Sequence, residues 1–565
     1  MKKFRWQLII IFLTGLVVGV LLLAEQPNIT TTVGPTPSRG GVYSEALIGE
    51  LQRLNPVLDY YNSVDRDVNR FVFSGLIKFD SRGVSQPDLA DSWGISKDGT
   101  VYNFSLRSNA KFHDGQPVTA EDVAFTIEMI KDPGSIVPDD LKAFWSEIEV
   151  IPLSSTTIQF RLPEPFAPFL DYLTFGILPS HVFAGMSYDE MVDSPVNLQP
   201  IGSGPYQFDQ LLIEDGKLTG IILKAFNDFY LSPPFIDQII FRYYPDEASA
   251  LNAYRDGEVL GISHVGDEIL KDVLAEPDLS LYSGRQPTLS IILFNLDHPE
   301  KEFFQDVELR KALMQGLNRQ YIIDNYLDGQ AILANGVVFP GTWAYYDGTP
   351  EIEFDPEKAI KKLSNEGFAI TGDESGIRVK DDIQLEFSLI YPDDITHQAV
   401  AEEIQKNWRA LGVGVNLEPL PYDVLVNERL VEKDYDAALI DINLSRSPDP
   451  DPYPFWDQAQ ASGGQNYSQW NNRIASEYLE QARIITDLDE RSRLYRNFQV
   501  VFSEDLPAIP LYYPVYNYAI DYQVLGVRMG PLYDANDRFA THLEWFFATR
   551  RPESATLAPT VTTAP

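Results

Sequence analysis

The stretch from Ile383 to Leu420 most constrains what this chain can fold into. "IQLEFSLIYP" reads as a strand, and "THQAVAEEIQKNWRALG" sets Val400, Ile404, Trp408 and Leu411 at helical spacing with Gly412 as the stop. "VGVNLEPL" reads as another strand. Strand, helix and strand in succession imply sheets covered by helices, a mixed α/β chain.

The same grammar recurs elsewhere. "TVYNFSLRS" alternates Tyr102, Phe104 and Leu106 inward with Asn103, Ser105 and Arg107 outward, and Asp98-Gly99 before it signals a hairpin turn. "DPEKAIKKLSNEG" offers Asp355 as N-cap, Pro356 at the first helical position and Gly367 just past the end. No internal repeat of 20–50 residues is present.

The 565 residues exceed the roughly 250–300 at which one core stops growing, so at least two packed lobes are expected. Hydrophobic residues at 44% suffice to fill them. The 82 Asp and Glu against 44 Lys and Arg give a net charge of -38, which repels a phosphate backbone, so nucleic acid is excluded as a partner. Cysteine is absent, which rules out disulfides, thiolate metal sites, a thiol nucleophile and a lipid-modified N-terminal cysteine.

Lys2, Lys3 and Arg5 precede an uncharged run from Leu8 to Ala24, a membrane-targeting segment whose basic flank keeps to the cytoplasm and sends the rest outside. "LLLAEQPN" lacks a good small-x-small site, which favours an uncleaved anchor over the competing cleavable signal. "EQPNITTTVGPTPSRGG", Glu25 to Gly41, reads as a disordered Thr/Pro/Gly spacer, and "RRPESATLAPTVTTAP" has the same character.

In "NAKFHDGQPVTAEDVAFTIE", a histidine beside acids raises the question of chemistry. Thr119 and Asp122 form a capping-box pair, Val118 and Val123 a hydrophobic staple, and Val123, Ile127 and Ile130 the buried stripe. His113 to Pro117 is then the turn that feeds this helix, and His113 is expected to be a hydrogen-bonded turn residue, not a ligand or base.

The segment "QPDLADSWGISKDGTVYNFSLRSNAKFHDGQPVTAEDVAFTIE" resembles the signature region of the bacterial extracellular solute-binding proteins of family 5, the oligopeptide and dipeptide type. "PIGSGPYQF", "FNLDHPEKEFFQDVELRKALMQGLNRQYII", "YDAALIDINLSRSPDPDPYPFW" and "GGQNYSQWNNRIASEYLEQAR" are similar to family segments in the same order, and the resemblance spans Gly41 to Phe547. It implies an α/β, two-lobed fold of the periplasmic-binding-protein type (type II) with an extra inserted subdomain and mixed sheets flanked by helices. Its implied divisions are 1–24 anchor, 25–41 spacer, 42–75 first part of lobe I, 76–199 inserted subdomain, 200–285 second part of lobe I, 286–493 lobe II, 494–548 third part of lobe I and 549–565 tail.

The resemblance also implies where a ligand is held. Peptide-binding members place an aspartate after the strand that begins at Tyr435-Asp436; counted without gaps that place falls on Ser445, with Arg446 beside it. This departs from the pattern, since an arginine repels an ammonium group but suits a carboxylate, a sugar or an aromatic ring; a shifted alignment restores Asp449 to the role. Ile442 and Asn443 lead into this loop, and Glu50, Leu51 and Gln52 match a family segment whose main chain lies along the ligand. Asn295 either holds a backbone turn or touches ligand. Tyr453 and Phe455 are candidates for the same loop, whereas Trp456 is expected to pack.

Other chemistry lacks a signature. The six histidines are scattered, with no H-E-x-x-H, G-x-S-x-G or P-loop, and "PIGSGPY" is read as a tight crossover because a strand, not a helix N-terminus, follows it. No enzyme, metal or cofactor is expected. The expectation is a monomeric, membrane-anchored, extracytoplasmic binding protein that delivers an oligopeptide or dipeptide to the permease of an ABC importer. Sensing on behalf of a signalling partner, or import of an oligosaccharide or metal chelate, is the alternative.

Overall fold

Glu386–Pro392 and Gly414–Leu420 pair in parallel around the helix Ile395–Ala410, as the alternation of periods requires. Val400, Ile404 and Trp408 are buried on that helix, Asp394 caps its start, and Gly412 beyond its end has φ +84°. The computed structural model describes residues 37–370, 376–445 and 448–548. The N-terminal apolar run, residues 25–36 of the spacer, Arg446 and the C-terminal tail lie outside the described residues.

The unit Arg39–Phe546 opens with β1 (Val42–Ile48) and α1 (Ser63–Val72). A four-stranded sheet follows, built from β2 (Ala90–Ile95), β3 (Val101–Leu106), β4 (Glu149–Ser154) and β5 (Thr157–Arg161) in the order β2-β3-β5-β4. Tyr102, Phe104 and Leu106 are buried on β3 as their alternation demands. Helix α2 (Ala120–Lys131) packs with this sheet through Val123, Ile127 and Ile130, and Asp122 accepts both the Thr119 amide at 2.8 Å and its hydroxyl at 2.7 Å.

The chain then forms β6 (Tyr206–Glu214), β7 (Lys217–Ala225), β8 (Gln238–Tyr244), α3 (Glu247–Arg255), β9 (Gly261–Ile262), α4 (Asp267–Ala275) and β10 (Leu279–Arg285). Next come β11 (Thr288–Phe294), α5 (Val307–Gln315), β12 (Ala331–Leu333), α6 (Pro356–Asn365), β13 (Glu386–Pro392), α7 (Ile395–Ala410), β14 (Gly414–Leu420) and β15 (Ala437–Asn443). The short α8 (Tyr453–Trp456), α9 (Arg473–Ile484), α10 (Leu488–Asp505) and the long β16 (Ala508–Asp521) complete the set used here.

These strands join in the order β14-β13-β15-β11-β16-β9-β1-β8-β7-β6, with β10 and β12 also paired to β16. Strand β16 connects the two halves. Residues Ala508–Tyr512 run against β11, whereas Val515–Asp521 run against β10. The changeover is at Pro514, whose carbonyl accepts the Gln286 amide at 2.8 Å directly between β10 and β11. Two chain segments therefore cross side by side.

Each half has its own apolar packing. Around β11, Ile292 and Phe294 face a cluster with Leu313, Val400 and Trp408, while Leu289, Ile291 and Leu293 face another with Trp456, Leu494 and Phe498. The period of two across β11 buries both faces under helices, so its residues are apolar in succession. Around β1 and β9, Ala46 and Ile262 pack with Leu251, Ile269 and Val273 of α3 and α4.

The loop "PIGSGPY" is a close approach of backbones. A Cβ on Gly202 would sit 1.9 Å from the Val72 carbonyl oxygen and one on Gly204 2.4 Å from that of Phe71, both at the end of α1. His113 holds the loop from the other side, taking the Gly202 amide on Nδ1 at 3.2 Å while Nε2 meets the Gly204 carbonyl at 3.0 Å. That pairing needs a neutral ring with its proton on Nε2, and burial lowers the His113 pKa to about 4.

Candidate ligand cleft

The loop that follows β15 is steered by its prolines and by one buried carboxylate. Asp449 pairs with Arg491 of α10 at 2.5 Å, accepts the Tyr495 hydroxyl at 3.1 Å and takes the Asp451 amide at 3.1 Å. Although burial opposes the charge of Arg491, Asp449 holds its guanidinium above the usual range. The Asp449 amide in turn donates to Asp171 at 2.6 Å, on the short turn Ala167–Leu173 in the segment expected to form the inserted subdomain. Beside them Asp451 lies 3.3 Å from Arg483; burial raises its pKa to about 6 against the pull of that arginine.

A cavity of about 150 Å³ lies where this loop meets Tyr172; Phe339, Thr342, Ser445, Pro448, Asp449 and Phe455 are among its walls. At roughly 30 Å³ per water it has room for about five waters, the size of one amino-acid side chain. A second cavity of about 230 Å³ lies under the end of β15, floored by Leu293, Leu425, Ile440, Ile442 and Trp456 and rimmed by Asn443. Phe455 belongs to the walls of both.

The structure thus brings Ile442 and Asn443 to one cavity and Ser445 and Asp449 to the other. Asn443 is exposed and accepts the Ser445 amide at 2.9 Å, which fixes the turn out of β15. Asp449 does not stand as a bare receptor for an ammonium group, because Arg491 already neutralises it. Arg446 lies outside the described residues.

Two other expected contacts take structural work instead. Asn295 is buried, donates to the Lys433 and Tyr435 carbonyls at 3.0 Å each and accepts from Gln469 at 2.6 Å, so its amide is saturated within its own half. Glu50, Leu51 and Gln52 form neither cavity wall. Gly49, at φ +123°, donates to the Tyr244 carbonyl at 2.9 Å, and the Gln52 and Arg53 amides donate to Asp65 at 2.8 and 2.9 Å. Leu51 is buried, Glu50 is exposed, and burial raises the Asp65 pKa to about 6 despite those two amides.

Sequence reasoning missed Tyr172, Phe339 and Thr342. Tyr172 comes from the helical turn Ala167–Leu173 and the other two from an irregular segment, all remote in sequence from the loop after β15, and no local pattern marks such residues as cavity walls. Trp456 packs as expected, 4.8 Å from Phe502 and 6.4 Å from Trp470 between ring centroids.

Proteins similar to this chain in sequence and in fold are known. The dipeptide-binding protein of Escherichia coli (strain K12) is 25% identical over 465 residues, 79% of this chain and 84% of that protein. The oligopeptide-binding protein AppA of Bacillus subtilis (strain 168) is 25% identical over 507 residues, 88% of this chain and 91% of that protein. Among solved structures, HbpA2 from Haemophilus parasuis superposes with a TM-score of 0.76 at 23% identity, covering 87% of this chain and 97% of that one. NikZ from Campylobacter jejuni in complex with Ni(L-His) gives 0.64 at 26% identity, covering 89% and 99%. The fold is therefore the two-lobed α/β architecture of periplasmic binding proteins with mixed sheets flanked by helices. A profile of the bacterial extracellular solute-binding proteins, family 5 Middle, matches residues 85–465, and the chain belongs to that family.

Proposed function

We propose that this protein captures a short peptide in the cleft beside the loop after β15 and presents it to the permease of an ABC importer, with no chemistry of its own. The observation that carries the reading is the 150 Å³ cavity between Tyr172 and residues 444–455, whose wall residues adjoin the crossing: the Leu444 amide donates to the Pro287 carbonyl at 2.7 Å and Phe339 packs 5.1 Å from Tyr513 of β16. Paired crossings of this kind are where lobes hinge, and a ligand that favours the closed state drives the motion. We place the lobe boundaries at Gln286–Pro287 and at Pro514, later than the residue 493 that the family resemblance implied, because Ala508–Tyr512 of β16 pair with β11. Relatives named as dipeptide-, di/tripeptide- and oligopeptide-binding proteins favour a peptide ligand. The N-terminal apolar run would tether the protein at the outer face of the membrane.

The test is to purify the protein, denature it and identify by mass spectrometry what it releases. A mixture of short peptides is expected. A released sugar or metal chelate, or failure of every di- and tripeptide in a binding panel, sinks the peptide reading.

A further inference from the structure

Among the described residues Arg285, Arg310, Arg319 and Arg378 are buried without an ion pair. Three of them find backbone carbonyls instead. Arg310 reaches those of Phe304, Asp505 and Leu506, Arg319 those of Ala334, Ile352 and Pro510, and Arg378 those of Phe368 and Leu411. Arg285 differs. It is 5% exposed, its guanidinium makes one hydrogen bond, from Nη1 to the Pro340 carbonyl at 3.3 Å, and Nε and Nη2 have no partner.

Those two nitrogens share one edge of the guanidinium, the edge whose parallel N–H groups take both oxygens of a carboxylate. One face is covered by Phe339, whose ring centroid is 4.0 Å from Cζ, with Tyr513 at 5.7 Å. The group is therefore oriented by a stacked ring and one carbonyl, while its forked edge is left over.

Its place in the fold sets the residue one ring away from the cleft, in contact with a wall of the cavity without being a wall itself. Arg285 ends β10 immediately before the crossing at Gln286–Pro287, and Phe339, on which it stacks, lines the 150 Å³ cavity. The Leu532 amide donates to the Arg285 carbonyl at 3.2 Å, and the next residue, Tyr533, carries a buried hydroxyl that also has no partner. A Cβ on Gly83 would lie 2.6 Å from that hydroxyl and 2.7 Å from Pro448, another wall of the cavity. Arg285 thus adjoins one wall residue, Phe339, and the Tyr533 hydroxyl lies near another, Pro448, beside the crossing at Gln286–Pro287.

A buried cation without a counter-ion is costly to keep. Burial lowers the Arg285 pKa to about 10, and the groups that oppose the shift, Tyr513 and Tyr533, are neutral at physiological pH. In a chain of net charge -38 an anion is repelled at long range, so its recognition needs a dedicated local receptor.

We propose that Arg285, with Tyr533 as a second donor, receives a carboxylate of the captured ligand at the crossing side of the cleft. The proposal rests on the peptide-capture reading, and its test separates the two. Calorimetric titration of the full chain with Ala-Ala-Ala, Ala-Ala-Ala-amide and Ala-Glu-Ala-amide distinguishes a terminal carboxylate from a side-chain one. At least one carboxylate peptide is expected to bind about 30-fold or more tighter than Ala-Ala-Ala-amide, with Arg285→Gln abolishing that preference and Tyr533→Phe reducing it. An equal preference in wild type and Arg285→Gln overturns the proposal. If none of the three peptides binds, acetate and malonate test the receptor apart from the peptide reading, which the wider panel of di- and tripeptides decides: thermal stabilisation of wild type but not of Arg285→Gln upholds the anion receptor, and no stabilisation of wild type overturns it. Without ligand, Arg285→Gln is expected to melt no lower than wild type, since it removes an unpaired charge; a clear drop in Tm makes the arginine structural and also overturns the proposal.

Discussion

Asp449 donates its amide to the Asp171 carboxylate at 2.6 Å, joining segments 278 residues apart. Arg483 stacks over Phe166 at 5.1 Å from the same side, and the Trp343 amide donates to the Arg82 carbonyl at 3.0 Å nearby. These contacts bridge the two lobes as we place them, so they favour the closed state. Asp171→Ala removes a charged acceptor, and hydrogen bonds to charged groups contribute about 1.5–3 kcal/mol. The expected outcome in stopped-flow measurements is ligand release about 10-fold faster or more, with small-angle scattering showing a more extended unliganded chain. An unchanged release rate would argue that the contact forms without consequence for closure.

Asp449→Ala leaves Arg491 buried and unpaired. Breaking one side of such a pair costs about 3–5 kcal/mol. Urea titration of the unliganded protein should show its first transition move to lower denaturant, with the unfolding free energy of that transition smaller by about 3–5 kcal/mol. If Asp449 instead served as a bare receptor for an ammonium group, the variant would lose affinity while stability stayed level.

Local signals carried much of the fold and little of the site. The capping pair Thr119–Asp122, the Pro356 start, the Gly412 stop and the alternation of Tyr102, Phe104 and Leu106 each act over a few residues, and each is found where its chemistry requires. The cleft obeys a different logic. Tyr172 and Phe339 meet the 444–455 loop only because distant segments converge, and Arg285 is conspicuous only by the hydrogen bonds that it fails to make. Asn295 shows the converse: a polar residue in a family segment looks like a contact until its buried amide is seen to be saturated by Lys433, Tyr435 and Gln469.

Gly202→Ala tests the crossover reading of "PIGSGPY". The added methyl would lie 1.9 Å from the Val72 carbonyl oxygen, a backbone atom that cannot move without displacing the end of α1. A loss of more than about 3 kcal/mol is expected, in line with overpacking against a rigid neighbour. Gly94→Ala is the control, since no atom lies within 4 Å of the new methyl. Equal melting temperatures for the two variants would contradict the close approach.

His113 supplies a pH dependence with a definite sign. Its pKa falls from 6.5 to about 4 on folding because burial disfavours the charged ring, outweighing the Gly204 carbonyl and Asp114. A base whose folded pKa lies below its unfolded one binds fewer protons when folded, so its contribution is complete above pH 6.5 and is lost as pH falls toward 4. At about 1.36 kcal/mol per pKa unit the loss reaches up to about 3 kcal/mol. His113→Gln can keep both hydrogen bonds, its oxygen taking the Gly202 amide and its nitrogen meeting the Gly204 carbonyl, without a group that titrates. The melting temperature of the variant should therefore fall less steeply than that of wild type between pH 6.5 and 4, while the two agree at pH 8; parallel curves would mean that the folded ring accepts a proton as readily as the unfolded one.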